Sequence, residues 1–128
     1  MFAITSVNAG LFGILYVALS YLVAHTRRTG GVSLGYGEDR RLTRRGRAHG
    51  NFSEYVPIGL ILLALTEAQG APAVALHALA LCLLAGRLLH GWAFIGPRLN
   101  RRFRVVGMIL TLSALLLASL GLLLHALL

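Results

Sequence analysis

Arg47–Leu65 reads RAHGNFSEYVPIGLILLAL, a charged and polar segment that runs without a break into a long apolar one. Its spacing is helical: Arg47, Asn51 and Glu54 fall at i, i+4 and i+7 and so share one side of a helix as a column of guanidinium, amide and carboxylate. A carboxylate at the edge of hydrocarbon costs several kcal/mol, roughly, unless it is paired or hydrated, so this column must face protein rather than lipid. Strong polar groups carried into a membrane segment point to a site.

The rest of the chain repeats the apolar character. Of 128 residues, 57% are hydrophobic and 12% charged, and the mean hydropathy is +0.76, too apolar for one soluble domain of this size. Four apolar stretches, 2–26, 51–68, 72–95 and 105–127, each approach the ~20 residues that cross a bilayer as a helix. The runs are long, rich in Leu and Ala, and lack the short alternation of a membrane β-barrel. The expected fold is an all-α integral membrane protein, a four-transmembrane-helix bundle forming one domain over residues 1–128, with helices at about 2–26, 41–68, 72–95 and 103–127. The first run exceeds a signal peptide's apolar core and lacks a basic leader, so it is expected to remain as a helix.

All twelve basic residues are Arg, seven between Arg27 and Arg47, four between Arg98 and Arg104, and Arg87 by itself. Placing both Arg-rich loops in the cytoplasm leaves both termini outside. A net charge of +8 beside membrane spans signals topology and contact with anionic membrane lipids, not nucleic acid. The lack of Lys fits a GC-rich, bacterial source and hence a bacterial inner membrane. Cys82 has no disulfide partner in the chain and reads as a packed side chain.

Local signals organise the helices. Thr29–Asp39, TGGVSLGYGED, reads as a mobile loop, and Pro57 predicts a kink in helix 2. The short QGAP turn, Gln69–Pro72, makes helices 2 and 3 antiparallel neighbours. On helix 3, Arg87, His90 and Phe94 form a second column rising toward the same end as Glu54, so Arg87 is the expected partner of Glu54, within one chain or between protomers. Gly86, Gly91 and Gly107 read as points of close helix approach, and most of helix 4 as packing surface. A lone His90 without Cys or paired carboxylates gives no metal spacing, and no metal is expected.

The motifs RAHGNFSEYVPIGLILLALTEAQGAP and GRLLHGWAF carry a resemblance that covers nearly the whole chain in length, topology and helix order. In them the chain resembles the MAPEG family, membrane-associated proteins in eicosanoid and glutathione metabolism, and looks like its small bacterial branch. The resemblance implies a homotrimer of four-helix protomers, with glutathione bound between protomers near the cytoplasmic face. It implies that Arg47, Asn51, Glu54, Arg87 and His90 line the glutathione site, that Arg28 or Arg27 adds a contact from helix 1, and that Arg104 activates the thiol. The chain departs from the family's pattern in carrying Gly50 where an Arg is frequent, Phe94 and Met108 where Tyr is common, and Val105 beside the activating Arg.

The implied chemistry is coherent. An Arg-rich pocket attracts anionic glutathione, Glu54 can receive its ammonium group, and a guanidinium lowers the pKa of a thiol from its usual ~8.5 and raises the thiolate fraction. Lipophilic small-molecule electrophiles would arrive through the bilayer to be conjugated or reduced. Each residue also has a plain structural reading: a packing salt bridge for Glu54 and Arg87, an interhelical hydrogen bond for His90, and contact with lipid phosphates for Arg104. Whether the protein is an enzyme therefore stays open at this point, the alternative being a non-catalytic or diverged trimer that binds lipid or another small molecule. A small multidrug exporter is disfavoured because helix 1 holds no acidic residue.

Overall fold

Long Leu- and Ala-rich runs dictate helices, and the computed structural model, which describes residues 2–128, contains four: α1 Ala3–Gly30, α2 Arg40–Ala68, α3 Ala73–Ile95 and α4 Arg101–Leu127. Their starts and stops follow from side chains. The Asp39 carboxylate accepts hydrogen bonds from the amides of Arg41 and Leu42 and caps α2, and Asn100 does the same for α4 through Phe103 N. Helix α1 continues four residues beyond its expected end at residue 26. The Arg27–Arg28 doublet suits a helix C-terminus without stopping it. The stop comes at Gly31, which takes a left-handed conformation, φ 67°, that other residues resist.

Three of the helices, α1, α3 and α4, are long and apolar enough to cross a membrane. The expected four spans are thus met by composition in three, because Asn51, Ser53, Glu54 and Glu67 dilute the apolar run of α2. Helix α2 nevertheless runs unbroken through Pro57 for 29 residues, about 43 Å at 1.5 Å per residue, and packs against each of the other three. The outward side chains include Ile14, Val17, Leu81, Leu116 and Leu123, all exposed. An apolar exterior around a core that buries Thr26, Arg87, His90 and Thr111 is the pattern of a protein solvated by lipid.

The helices alternate in direction. Glu67, at the end of α2, accepts hydrogen bonds from Ile4 N at 3.0 Å, Thr5 N at 2.8 Å and Thr5 Oγ1 at 2.6 Å, satisfying two of the orphan amides at the start of α1. At the opposite end, Arg44 Nη2 donates to Pro97 O at 3.1 Å and Arg45 Nη1 to Thr26 Oγ1 at 2.6 Å. Both Arg-rich loops therefore lie at one end of the bundle. The 31–39 connection, expected to be a mobile loop, is tethered there: Arg27 bonds Gly35 O and lies 5.5 Å over the Tyr36 ring, which occupies the space where a side chain on Gly46 would be.

Two packing centres hold the bundle. Phe12 and Phe52 meet edge to face at 5.9 Å between α1 and α2. Between α3 and α4, Gly86 and Gly107 bring the backbones together: a Cβ on Gly107 would stand 2.7 Å from both Gly86 O and His90 N. Gly91, expected to do the same, has open space around it and makes no such approach.

Candidate functional site

At the Arg-rich end three helices each contribute an i, i+4 pair to one cleft of about 290 Å³: Arg47 and Asn51 from α2, His90 and Phe94 from α3, and Arg104 and Met108 from α4. The depth is marked by Trp92, between His90 and Phe94 in sequence and 69% exposed, since exposed Trp sits at the level of lipid headgroups. The His90 and Phe94 rings lie 5.0 Å apart, and the Arg104 guanidinium stands 6.0 Å from the centre of the Phe94 ring. The Gly86–Gly107 contact fixes this register, because Gly107 precedes Met108 and presses on the backbone of His90.

Arg87 does not line the cleft. It is buried behind it, 3% exposed, where Nη1 donates to Asn51 Oδ1 at 2.6 Å, Nε to Thr111 Oγ1 at 2.9 Å and Nη2 to Met108 Sδ at 3.4 Å. The Tyr55 ring covers it at 5.4 Å. Because the Asn51 carbonyl oxygen is occupied by Arg87, the amide nitrogen is the group Asn51 has left for a ligand. The cleft then offers two guanidiniums, an amide N–H and an imidazole, and no carboxylate in its lining. Such a set suits a compact anion.

The expected Glu54–Arg87 ion pair is not formed within the chain. Glu54 is exposed, on the same side of α2 as Arg47 and about two turns further in, while Asn51 takes the inward position and meets Arg87 in its place. Arg28 is exposed at the end of α1 and is not among the residues lining this cleft. Among the described residues no three His, Cys, Asp or Glu side chains are grouped to hold a metal.

The MAPEG family model matches residues 5–124, most of the chain, a range within which all six cleft positions lie. The chain belongs to the MAPEG family. It is 37% identical over 118 residues to the inner membrane protein YecN of Escherichia coli strain K12, covering 92% of this chain and 88% of that one. The same identity and coverage hold for YecN of Escherichia coli O6:H1.

As a MAPEG membrane protein, the chain brings together Arg47, Asn51, His90 and Arg104, and it holds Arg87 as their support. Of the positions where the resemblance led to a different expectation, Phe94 and Met108 form part of the cleft wall, while a Cβ on Gly50 would meet nothing within 4 Å. Thr111 escaped sequence reasoning. It is fully buried, accepts from Arg87 and donates to Gly107 O at 2.8 Å. The signal was present, since Arg104, Met108 and Thr111 repeat the i, i+4, i+7 spacing of Arg47, Asn51 and Glu54.

Proposed function

We propose that this MAPEG protein is a glutathione-dependent transferase or peroxidase of the bacterial inner membrane that conjugates or reduces lipophilic electrophiles. The observation that carries the reading is the convergence of Arg47, Asn51, His90 and Arg104 on one donor-rich cleft, with the unpaired Glu54 carboxylate on the same side of α2. Glutathione is complementary to that arrangement: its carboxylates match Arg47 and the Asn51 amide, and its ammonium group matches Glu54. The protein acts as a homotrimer with the site at the boundary between protomers, where Arg28 of a neighbour completes it. The Arg-rich end faces the cytoplasm and both termini lie outside.

Arg104 is the activating residue. Its guanidinium stabilises the thiolate after the thiol proton leaves to solvent. The thiolate attacks an electrophilic carbon, forming the S–C bond as the leaving group departs with its electron pair. With a hydroperoxide it attacks the outer oxygen. The alkoxide leaves and is protonated, and a second glutathione resolves the sulfenic acid to disulfide and water. Phe94 and Met108 give the electrophile an apolar wall.

A second reading, a diverged trimer that binds lipid or another small anion, is supported by the absence of hydroxyl groups at Phe94 and Met108. Calorimetric titration of glutathione into the detergent-purified oligomer separates the two. Saturable binding that is lost in Glu54→Gln, with turnover of a chlorinated aromatic electrophile lost in Arg104→Ala, supports the transferase. No binding at millimolar glutathione overturns it in favour of the second reading.

A further inference from the structure

Arg87 is a buried cation with no anion beside it among the described residues. The sequence has four acidic side chains: Glu67 is engaged by Ile4 and Thr5, Asp39 caps α2, and Glu38 and Glu54 are exposed. What surrounds Arg87 is dipolar only: the side chain and backbone oxygens of Asn51, the Thr111 hydroxyl, the Met108 sulfur and the Tyr55 ring. These engage each of its three nitrogens without balancing its charge. An uncompensated buried charge weighs on a fold far more than a paired one. Two of its partners, Asn51 and Met108, are themselves walls of the cleft, so the nearest space in which an anion can sit is one side chain away, between Arg47 and Arg104.

We propose that an anion held in the cleft is the counter-charge of Arg87. Arg87 is a positioning residue: it turns the Asn51 amide N–H toward the ligand, adds a third positive charge from behind, and couples the stability of the bundle to occupancy of the site. The inference rests on the cleft being the ligand site, not on glutathione being the ligand. A packing role alone would leave the stabilisation by small anions unchanged when Arg87 is replaced.

The test is thermal unfolding of the whole protein in non-ionic detergent, with and without millimolar inorganic phosphate. Phosphate is expected to raise the wild-type midpoint. Asn51→Asp, which is isosteric and places a carboxylate on Arg87, is expected to melt higher than wild type without phosphate and to gain nothing from adding it. Arg87→Met is expected to weaken phosphate binding at least tenfold, about 1.4 kcal/mol, while Arg87→Lys recovers part of that loss. An Asn51→Asp protein that melts at or below wild type, or an Arg87→Met protein with the full phosphate increment, overturns the proposal. Glutathione in the same assay separates the two readings. If phosphate acts as described and glutathione does not bind, the thiol reading fails alone; if glutathione binds Asn51→Asp as it binds wild type, this inference fails alone.

Discussion

Gly107→Ala tests the contact on which both the bundle and the cleft depend. The new Cβ would lie 2.7 Å from Gly86 O and from His90 N and 3.0 Å from His90 Cα, against ordinary contact beginning at 3.4 Å. Helices α3 and α4 must therefore part by about 0.7 Å (3.4 − 2.7), and the obstructing atoms are backbone, which cannot swing aside. Overpacking of this kind costs about 1–3 kcal/mol, opposed by the ~1 kcal/mol that Ala gains over Gly within a helix. Gly91→Ala is the matched control: it earns the same propensity with nothing within 4 Å of its Cβ. The difference between the two variants is then the packing cost itself, about 2 kcal/mol or roughly 30-fold in the folded-to-unfolded ratio. Unfolding in mixed micelles by sodium dodecyl sulfate, followed by helical circular dichroism, measures it. Equal midpoints for Gly107→Ala and Gly91→Ala would refute the reasoning.

Other perturbations address separate parts of the molecule. Backbone hydrogen bonding from Leu42, then Arg41, with help from the nearby guanidiniums, holds the Asp39 carboxyl below its usual 3.8. A depressed carboxylate stabilises the fold above its unfolded pKa and loses that contribution as pH falls through the folded one. Thermal midpoints followed downward from pH 5 should therefore fall further in wild type than in Asp39→Ala, and parallel curves would count against the cap. Gly46→Val places a side chain on the Tyr36 ring, 2.6 Å from Cζ; with Tyr36 displaced, limited proteolysis within Gly31–Asp39 should quicken several-fold, and an unchanged rate would show that the ring does not tether the loop. A Cβ on Gly50 meets nothing within 4 Å, and Gly50→Arg supplies the side chain that the family resemblance leads one to expect there. If the cleft holds glutathione, one added charge-assisted hydrogen bond, about 1.5–3 kcal/mol, should tighten calorimetric binding tenfold or more.

The helices were legible because membrane helices are written in composition. Length and apolarity mark α1, α3 and α4 as spans, and Arg clusters indicate which loops share an end, so Arg44 and Pro97 meeting across two connections agrees with the charge pattern. Helix α1 runs past its expected end at residue 26 because nothing at Arg27 or Arg28 breaks it. Arg is a good helix former, and the stop belongs to the left-handed Gly31. The tether on 31–39 was invisible for another reason: the seat of Tyr36 exists only once α2 presents Gly46 beside it.

The candidate site was legible as faces and not as partners. Periodicity places Arg47, Asn51 and Glu54 on one side of α2, but neighbouring residues on such a column still differ by about 40–60° in direction. A spread of that size decides which of them points between helices and which points outward. The neighbouring backbones settle the choice: the Gly86–Gly107 approach brings α4 close enough for Thr111 and Met108 to flank Arg87. Asn51 then closes the cage and Glu54 stays outside. A neutral amide in the inward position leaves the Arg87 charge to act on the cleft, whereas the carboxylate expected from sequence would have cancelled it within the core. The exchange of Glu54 for Asn51 is therefore what makes this end of the bundle attractive to anions, and it follows from two glycines on α3 and α4, not from any residue of the column.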